Sequence, residues 1–232
     1  MTRLDLAAWT QIEPDSVLVL PIGSTEQHGP HLPLTTDADL ATALASELEA
    51  ARRVTLAPTL PYGASGEHQD FPGTLSIGNN VLHELIIELV RSATCSFSSV
   101  YIINGHGGNL AALATSTKQL RHEGREVHVF APRVDADLHA GAFETSMMLY
   151  VDPSRVRLSD AQPGNTATFD ELWPSLRMHG VQSVTVNGVL GDPTTASSVQ
   201  GRAYFDDLLH QLLQDFDAWL QREGTTHGQR VV

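Results

Sequence analysis

The chain is short of side chains that several common enzyme mechanisms require. Cys95 is the single cysteine in 232 residues, which excludes an intramolecular disulfide and a Cys-rich zinc or iron–sulfur site. Lys118 is the single lysine. It falls in a helical pattern with no glycine-rich loop before it, which argues against a phosphate-binding P-loop and a Schiff-base lysine. No stretch reaches the roughly 18 apolar residues that span a bilayer. Met1-Thr-Arg-Leu-Asp-Leu lacks the charged head and apolar run of a targeting segment, so a cytoplasmic location is expected. Basic residues are few: 14 Lys and Arg against 27 Asp and Glu, a net charge of -13. That argues against nucleic acid and anionic membrane as partners, because both select positive surface. What remains abundant is histidine, at eleven residues, over an apolar content of 41% that can fill a sizeable core. The length suits one domain over residues 1–232, with a frayed tail from about 224.

Apolar patterns of two kinds alternate along the chain. Ser16–Ile22, Val54–Ala57, Ser99–Ile103 and Glu126–Ala131 read as short buried strands, and Ser183–Val186 as a further one. Thr36–Ala51, Val81–Ala93, Leu110–Arg121, Gly141–Tyr150, Thr168–Met178 and Ala196–Arg222 carry helical spacing. This order predicts an α/β fold, a mainly parallel sheet with helices on both faces. Ligands of such sheets bind beyond the carboxyl ends of the strands. The polar motifs fall there: Glu26 and His28 after the first strand, Tyr62 to Phe71 after the second, His106 after the third, His139 after the fourth.

The first motif runs Gly23-Ser-Thr-Glu26-Gln-His28-Gly-Pro-His31-Leu-Pro-Leu-Thr-Thr-Asp37. Glu26 and His28 share a face of an extended segment, and Asp37 can return to it as the next helix begins. Each alone reads as a solvated polar turn. Together, after a buried strand, they point to a divalent metal, with His31 as an orienting side chain. The second motif, Asn104-Gly-His106-Gly-Gly-Asn109, brings backbone close to a ligand. It fails the dinucleotide fingerprint, because Leu110 stands where the third glycine belongs. A serine-hydrolase elbow is also absent, since Gly63-Ala-Ser65-Gly66-Glu67 has its second glycine one place early. The third motif is His139-Ala-Gly-Ala-Phe-Glu144-Thr-Ser-Met-Met. The fourth is the long loop Tyr62-Gly-Ala-Ser65-Gly-Glu67-His68-Gln-Asp-Phe71-Pro-Gly-Thr74, whose small and aromatic residues suit the shaping of a pocket. His83, His122, His128, His179, His210 and His227 read as structural or solvent-facing.

These four motifs, in this order and at this spacing, resemble the creatininase (creatinine amidohydrolase) family across roughly Val17 to Asp192. Asn187-Gly-Val-Leu-Gly-Asp-Pro-Thr and Pro163-Gly-Asn165-Thr are more similar to one branch of it, which acts in mycofactocin biosynthesis. The resemblance implies a three-layer α/β/α sandwich, two adjacent divalent metals, amide hydrolysis and a homo-oligomer, typically a hexamer. For the branch it implies Zn²⁺ and Fe²⁺, with Mn²⁺ an alternative. The substrate it implies is a modified precursor peptide, cut to free a cyclised C-terminal Val-Tyr piece. Carried over by residue, Glu26, His28, Asp37 and His106 match metal ligands, with Asp37 the bridge. The family's Glu two places after the second-motif His is replaced by Gly108, and Glu144 is the available substitute. His139 matches an active-site histidine and is assigned as proton donor to the leaving nitrogen. Tyr62, Ser65, Glu67 and His68 are assigned to substrate binding. Two rival readings stand beside this one: hydrolysis of a small cyclic amide such as creatinine, and a non-catalytic metal-binding scaffold in a biosynthetic complex.

Overall fold

The computed structural model describes residues 2–132, 134 and 136–227, without the side chains of 223–227. Strands β1 (Thr2–Arg3), β2 (Val17–Ile22), β3 (Thr55–Leu56), β4 (Ser99–Asn104) and β5 (Val127–Phe130) form one parallel sheet in the order β1-β3-β2-β4-β5. Six α-helices accompany it: α1 (Thr36–Ala51), α2 (Gly78–Ala93), α3 (Leu110–His122), α4 (Ala142–Val151), α5 (Phe169–His179) and α6 (Ser198–His227). β2 and β4 lie at the centre, in register from Val17 opposite Ser99 to Ile22 opposite Asn104. Both faces of these two strands are covered, so they read as continuous apolar runs and not as alternating ones.

Alternation still decides which layer each side chain joins. Val19, Tyr101, Ile103 and Phe130 point to the layer of α1, α4 and α6, where Leu44, Met147, Met148, Phe205, Leu212 and Phe216 meet them. Leu18, Leu20, Ile22, Val100 and Ile102 point to the layer of α2 and α3, against Leu82, Ile86, Leu113 and Leu120. The expected three-layer α/β/α sandwich follows directly. On α6, Phe205, Leu208, Leu212, Phe216 and Trp219 recur at helical spacing and are buried. Gly201 brings α6 so close to α4 that a Cβ there would overlap the Ser146 carbonyl. Further along, the Tyr101 hydroxyl donates to Asp215 Oδ2 at 2.6 Å, and His128 Nε2 lies 2.7 Å from the same oxygen. This polar latch ties α6 to β4 and β5.

The structure corrects one reading and adds one strand. Ser183–Val186 is no strand: a 3₁₀ turn covers Val181–Ser183, and Val186 is 95% exposed. The Asn165 amide donates to the Val184 carbonyl (2.9 Å) and Asn187 to the Pro163 carbonyl (3.1 Å), so side chains, not a ladder, satisfy this segment. The edge strand β1, two residues long, had no pattern to announce it. Among the described residues no helix is long and apolar enough to cross a membrane.

Candidate metal centre

The carboxyl ends of β2, β3, β4 and β5 open on one edge, and the loops that leave them converge. Gly23, at the end of β2, packs on the first turn of α1, where a Cβ would collide with the Ala38 backbone. Gly105, after β4, makes a similar approach to the Asp37 carbonyl. These two close contacts bring Glu26, His28, Asp37 and His106 into one buried volume. Asp37 sits in the first turn of α1, where the helix dipole favours a carboxylate. Asn109 is fully buried and staples three loops. Its carbonyl accepts from the Ala64 N–H (2.9 Å), and its amide donates to the Gly23 carbonyl (3.0 Å) and to Asn104 Oδ1 (3.2 Å).

Among the described residues three donor groups lie close enough to hold an ion: Glu26 with His28 and His139, and two triads that share Asp37. Glu26, Asp37 and His106 each offer an oxygen or nitrogen within 4.8 Å of the others, and so do His28, Asp37 and Glu144. Asp37 faces both imidazoles, with Oδ1 3.0 Å from His28 Nε2 and Oδ2 3.0 Å from His106 Nδ1. Ser24 fixes it by donating to Oδ2 at 2.8 Å. Glu26 Oε2 lies 3.2 Å from His106 Nε2, yet no hydrogen bond satisfies this buried oxygen. Glu144 closes the second triad with Oε2 3.9 Å from His28 Nε2, and it accepts from the Ala140 N–H at 2.6 Å.

Three carboxylates and two imidazoles at this density call for positive charge. Burial raises Glu26 to about 7 against the pull of His106, and burial also raises Glu144. Burial opposes a charge on His28 and His106, but Asp37 and Glu26 overcome it and push both up to about 10. Protons on the two rings thus do part of what a cation would do. The unpartnered Glu26 oxygen, the shared Asp37 and the oxygen–nitrogen donor set all fit divalent metal ions of the Zn²⁺, Mn²⁺ or Fe²⁺ kind.

Beside the triads lies a pair of neutral histidines. His139, which precedes α4, lies with its ring centre 4.3 Å from that of His28 and 4.4 Å from that of His68, tilted against both. Gln27 sets the tautomers of His68 and His139. Its carbonyl Oε1 accepts from the Gly29 N–H (2.9 Å), which orients the amide. The two amide hydrogens then go to His68 Nδ1 (2.9 Å) and the Gly188 carbonyl (3.0 Å). His139 Nε2 is left to donate to the Gln27 backbone carbonyl at 2.7 Å, so its Nδ1 carries no proton and faces Glu26. Burial, with the charge of His28, holds His68 down to about 3 and His139 well below the ordinary imidazole value.

The residues assigned from sequence are placed unevenly. Glu26, His28, Asp37, His106, His139 and Glu144 share one centre. Glu67 and His68 line a cleft of about 1100 Å³ that opens from it. Ser65 lies beneath its wall, with Oγ 3.5 Å from His106 Nε2. Tyr62 stands outside the cleft, 44% exposed, because the chain is still leaving the sheet edge at Leu60. His31 is buried and reaches Thr145 Oγ1 at 2.8 Å, joining the first motif to α4. A Cβ at Gly108 would overlap the Ala64 carbonyl and the His106 ring and approach Glu67 Oε1 to 2.6 Å, so no acidic side chain fits at that position. Sequence reasoning missed Gln27 and Asn109, although both stand inside quoted motifs. It also missed the far wall of the cleft, formed by α5. His179, at the end of α5, is exposed and lines that wall.

An α/β/α sandwich with carboxylates and imidazoles buried at its strand ends has the make-up of a divalent-metal hydrolase. A family model described as creatinine amidohydrolase matches residues 1–216, and the chain belongs to the creatininase family. The mycofactocin precursor peptide peptidase of Mycolicibacterium smegmatis is 44% identical over 210 residues, 88% of this chain and 85% of that protein. Two solved creatininases, a mutant of Zn–Zn type and a manganese form, align with a TM-score of 0.79 at 25% identity, over 92% of this chain and 96% of theirs.

Proposed function

We propose that the chain is a dinuclear-metal peptidase that hydrolyses one amide bond of the modified mycofactocin precursor peptide, freeing its cyclised C-terminal Val-Tyr-derived piece. The observation that carries this reading is the pair of donor triads sharing Asp37 at the head of an open cleft. The cleft volume of about 1100 Å³ exceeds what a small cyclic amide needs. The 44% identity to a peptidase, against 30% to a creatinine amidohydrolase, supports the same choice. The donor set suits Zn²⁺ with Fe²⁺, and Mn²⁺ in place of either.

Glu26, Asp37 and His106 would hold one ion, and His28, Asp37 and Glu144 the other. Bound there, two divalent cations lower the pKa of a water and polarise the amide carbonyl. The remaining chemistry falls to the protein's own groups. His139 starts neutral, with a bare Nδ1 toward the site and Nε2–H held by the Gln27 carbonyl. Nδ1 is the ring atom open to a proton from the attacking water, and because burial keeps that proton weakly held, the ring gives it up to the departing nitrogen as the C–N bond breaks. His68, fixed by Gln27, keeps its Nε2–H 3.3 Å from Glu26 Oε1 and holds that carboxylate in place.

The test is turnover by protein loaded with Zn²⁺ and Fe²⁺, read by mass spectrometry, on modified precursor peptide, unmodified peptide and creatinine. The expected result is release of the C-terminal piece from the modified peptide, abolished by chelator and restored by metal. Turnover of creatinine alone would overturn the peptide reading. Failure to cleave any amide would leave a metal-binding scaffold.

A further inference from the structure

The cleft has a second wall that the proposed chemistry does not use. Helix α5 buries one residue, Leu172, and leaves two large aromatic side chains in the open. Phe169 (48% exposed), Trp173 (46%) and Arg177 follow one another at four-residue steps, so they form a stripe on one helix face, and all three line the cleft. The Phe169 and Trp173 rings stand 5.0 Å apart. The helix is fixed at both ends. Glu171 Oε2 accepts from the Thr168 N–H (2.8 Å) and hydroxyl (2.7 Å). At the other end Gly180, at φ +72°, presses on the Glu67 carbonyl, where a Cβ would come within 2.8 Å. The stripe is thus attached to the loop that carries Glu67 and His68, and its surface is continuous with the metal centre.

Charge in the cleft is one-sided. Glu26, Asp37, Glu67, Asp70 and Glu144 line it, and Arg177 is the one Arg or Lys among its described lining residues. No described residue pairs with Arg177 by hydrogen bond or salt bridge. Away from the metal centre, Arg177 is the position among the described residues that complements an anionic group entering this cleft. One helical turn separates Trp173 from Arg177, about 5–6 Å along the axis, and an extended peptide covers that distance in about two residues.

Resting on the peptidase reading above, we propose that α5 is the specificity wall of the cleft. The Phe169–Trp173 pair receives an aromatic or large apolar side chain of the peptide substrate, and Arg177 pairs with a carboxylate about two residues along the same chain.

Fluorescence anisotropy with labelled peptides of Phe-x-Asp, Ala-x-Asp and Phe-x-Lys pattern, on metal-loaded protein, tests this directly. Trp173→Ala should weaken the Phe-x-Asp peptide by about 10–30-fold, with Trp173→Phe recovering most of the loss. Arg177→Ala should weaken it by about 2–5-fold, and Arg177→Glu should reverse the order of the Asp and Lys peptides. On the precursor peptide, Trp173→Ala should raise KM and change kcat by no more than about 2-fold. Equal affinity of the Phe and Ala peptides for the parent protein, or an unreversed order in Arg177→Glu, overturns the proposal. If precursor turnover persists with such flat affinities, the peptidase reading stands and α5 is dismissed. If affinities follow the stripe while no peptide is cleaved, the peptidase reading falls and α5 remains a peptide-docking wall.

Discussion

Asp37→Asn isolates the shared ligand. The substitution keeps the side-chain volume and removes the charge between His28 and His106, each 3.0 Å away. Both triads use this carboxylate, so both should lose affinity together. The effect can be sized by linkage. An ion at 100 times its Kd stabilises the folded state by about 2.7 kcal/mol. Two independent ions contribute about 5.4 kcal/mol, which at roughly 2–4 °C per kcal/mol for a chain of this length raises Tm by about 11–22 °C. In chelator-treated protein titrated with Zn²⁺ or Mn²⁺ and melted by circular dichroism, the parent should show that rise, and Asp37→Asn less than about 5 °C of it. Metal analysis on the same samples should find two equivalents in the parent and fewer than one in the variant. A variant that keeps two equivalents and the full thermal shift would refute the shared-ligand geometry.

Other perturbations separate the remaining roles. Glu144→Gln should lose one metal equivalent and keep the other; retention of both would move the last ligand to another carboxylate, with Glu67 the nearest at the mouth. His139→Ala should cut kcat by about 10²–10⁴-fold with metal content unchanged, and loss of metal instead would make it a ligand. Asn109→Ala orphans the Ala64 N–H and the Gly23 carbonyl; each buried orphan costs about 1–3 kcal/mol, so chemical denaturation should show a loss of at least that size, and an unchanged midpoint would dismiss the staple. Burial lowers His128 below its ordinary 6.5, against the pull of Asp215. The folded state therefore prefers the neutral ring, and stability that is complete above pH 6.5 declines as pH falls toward the lower folded value. His128→Gln should flatten part of that decline in urea titrations at stepped pH, and an identical slope would count against the latch as a titrating element.

Local pattern made the centre of the fold legible. β2 and β4 are covered on both faces, and their unbroken apolar runs say so. The edge was not legible, because β1 pairs over two residues and leaves no period to read. Ser183–Val186 misled for the opposite reason: its apolar alternation imitates a strand, while Asn165 and Asn187 hold it as a turn. In the site, the ligating types stood out because Glu, His and Asp cluster where strands end. Gln27 did not, since its work is to assign protons to two rings from distant segments. Nor did the stripe on α5, which lies far along the chain and declares its role only once Gly180 rests on Glu67.

The proposed ligand positions have a bearing on how the protein is made. They come from the loop after β2, the head of α1, the loop after β4 and the head of α4, so no contiguous segment contains a site. An ion cannot template an early turn of the growing chain. It meets its donors only after β2 and β4 have paired and α4 has docked, late in a process governed by long-range closure. Metal capture should therefore trail folding, and a pool of emptied but folded protein should be the form from which the loaded enzyme is drawn.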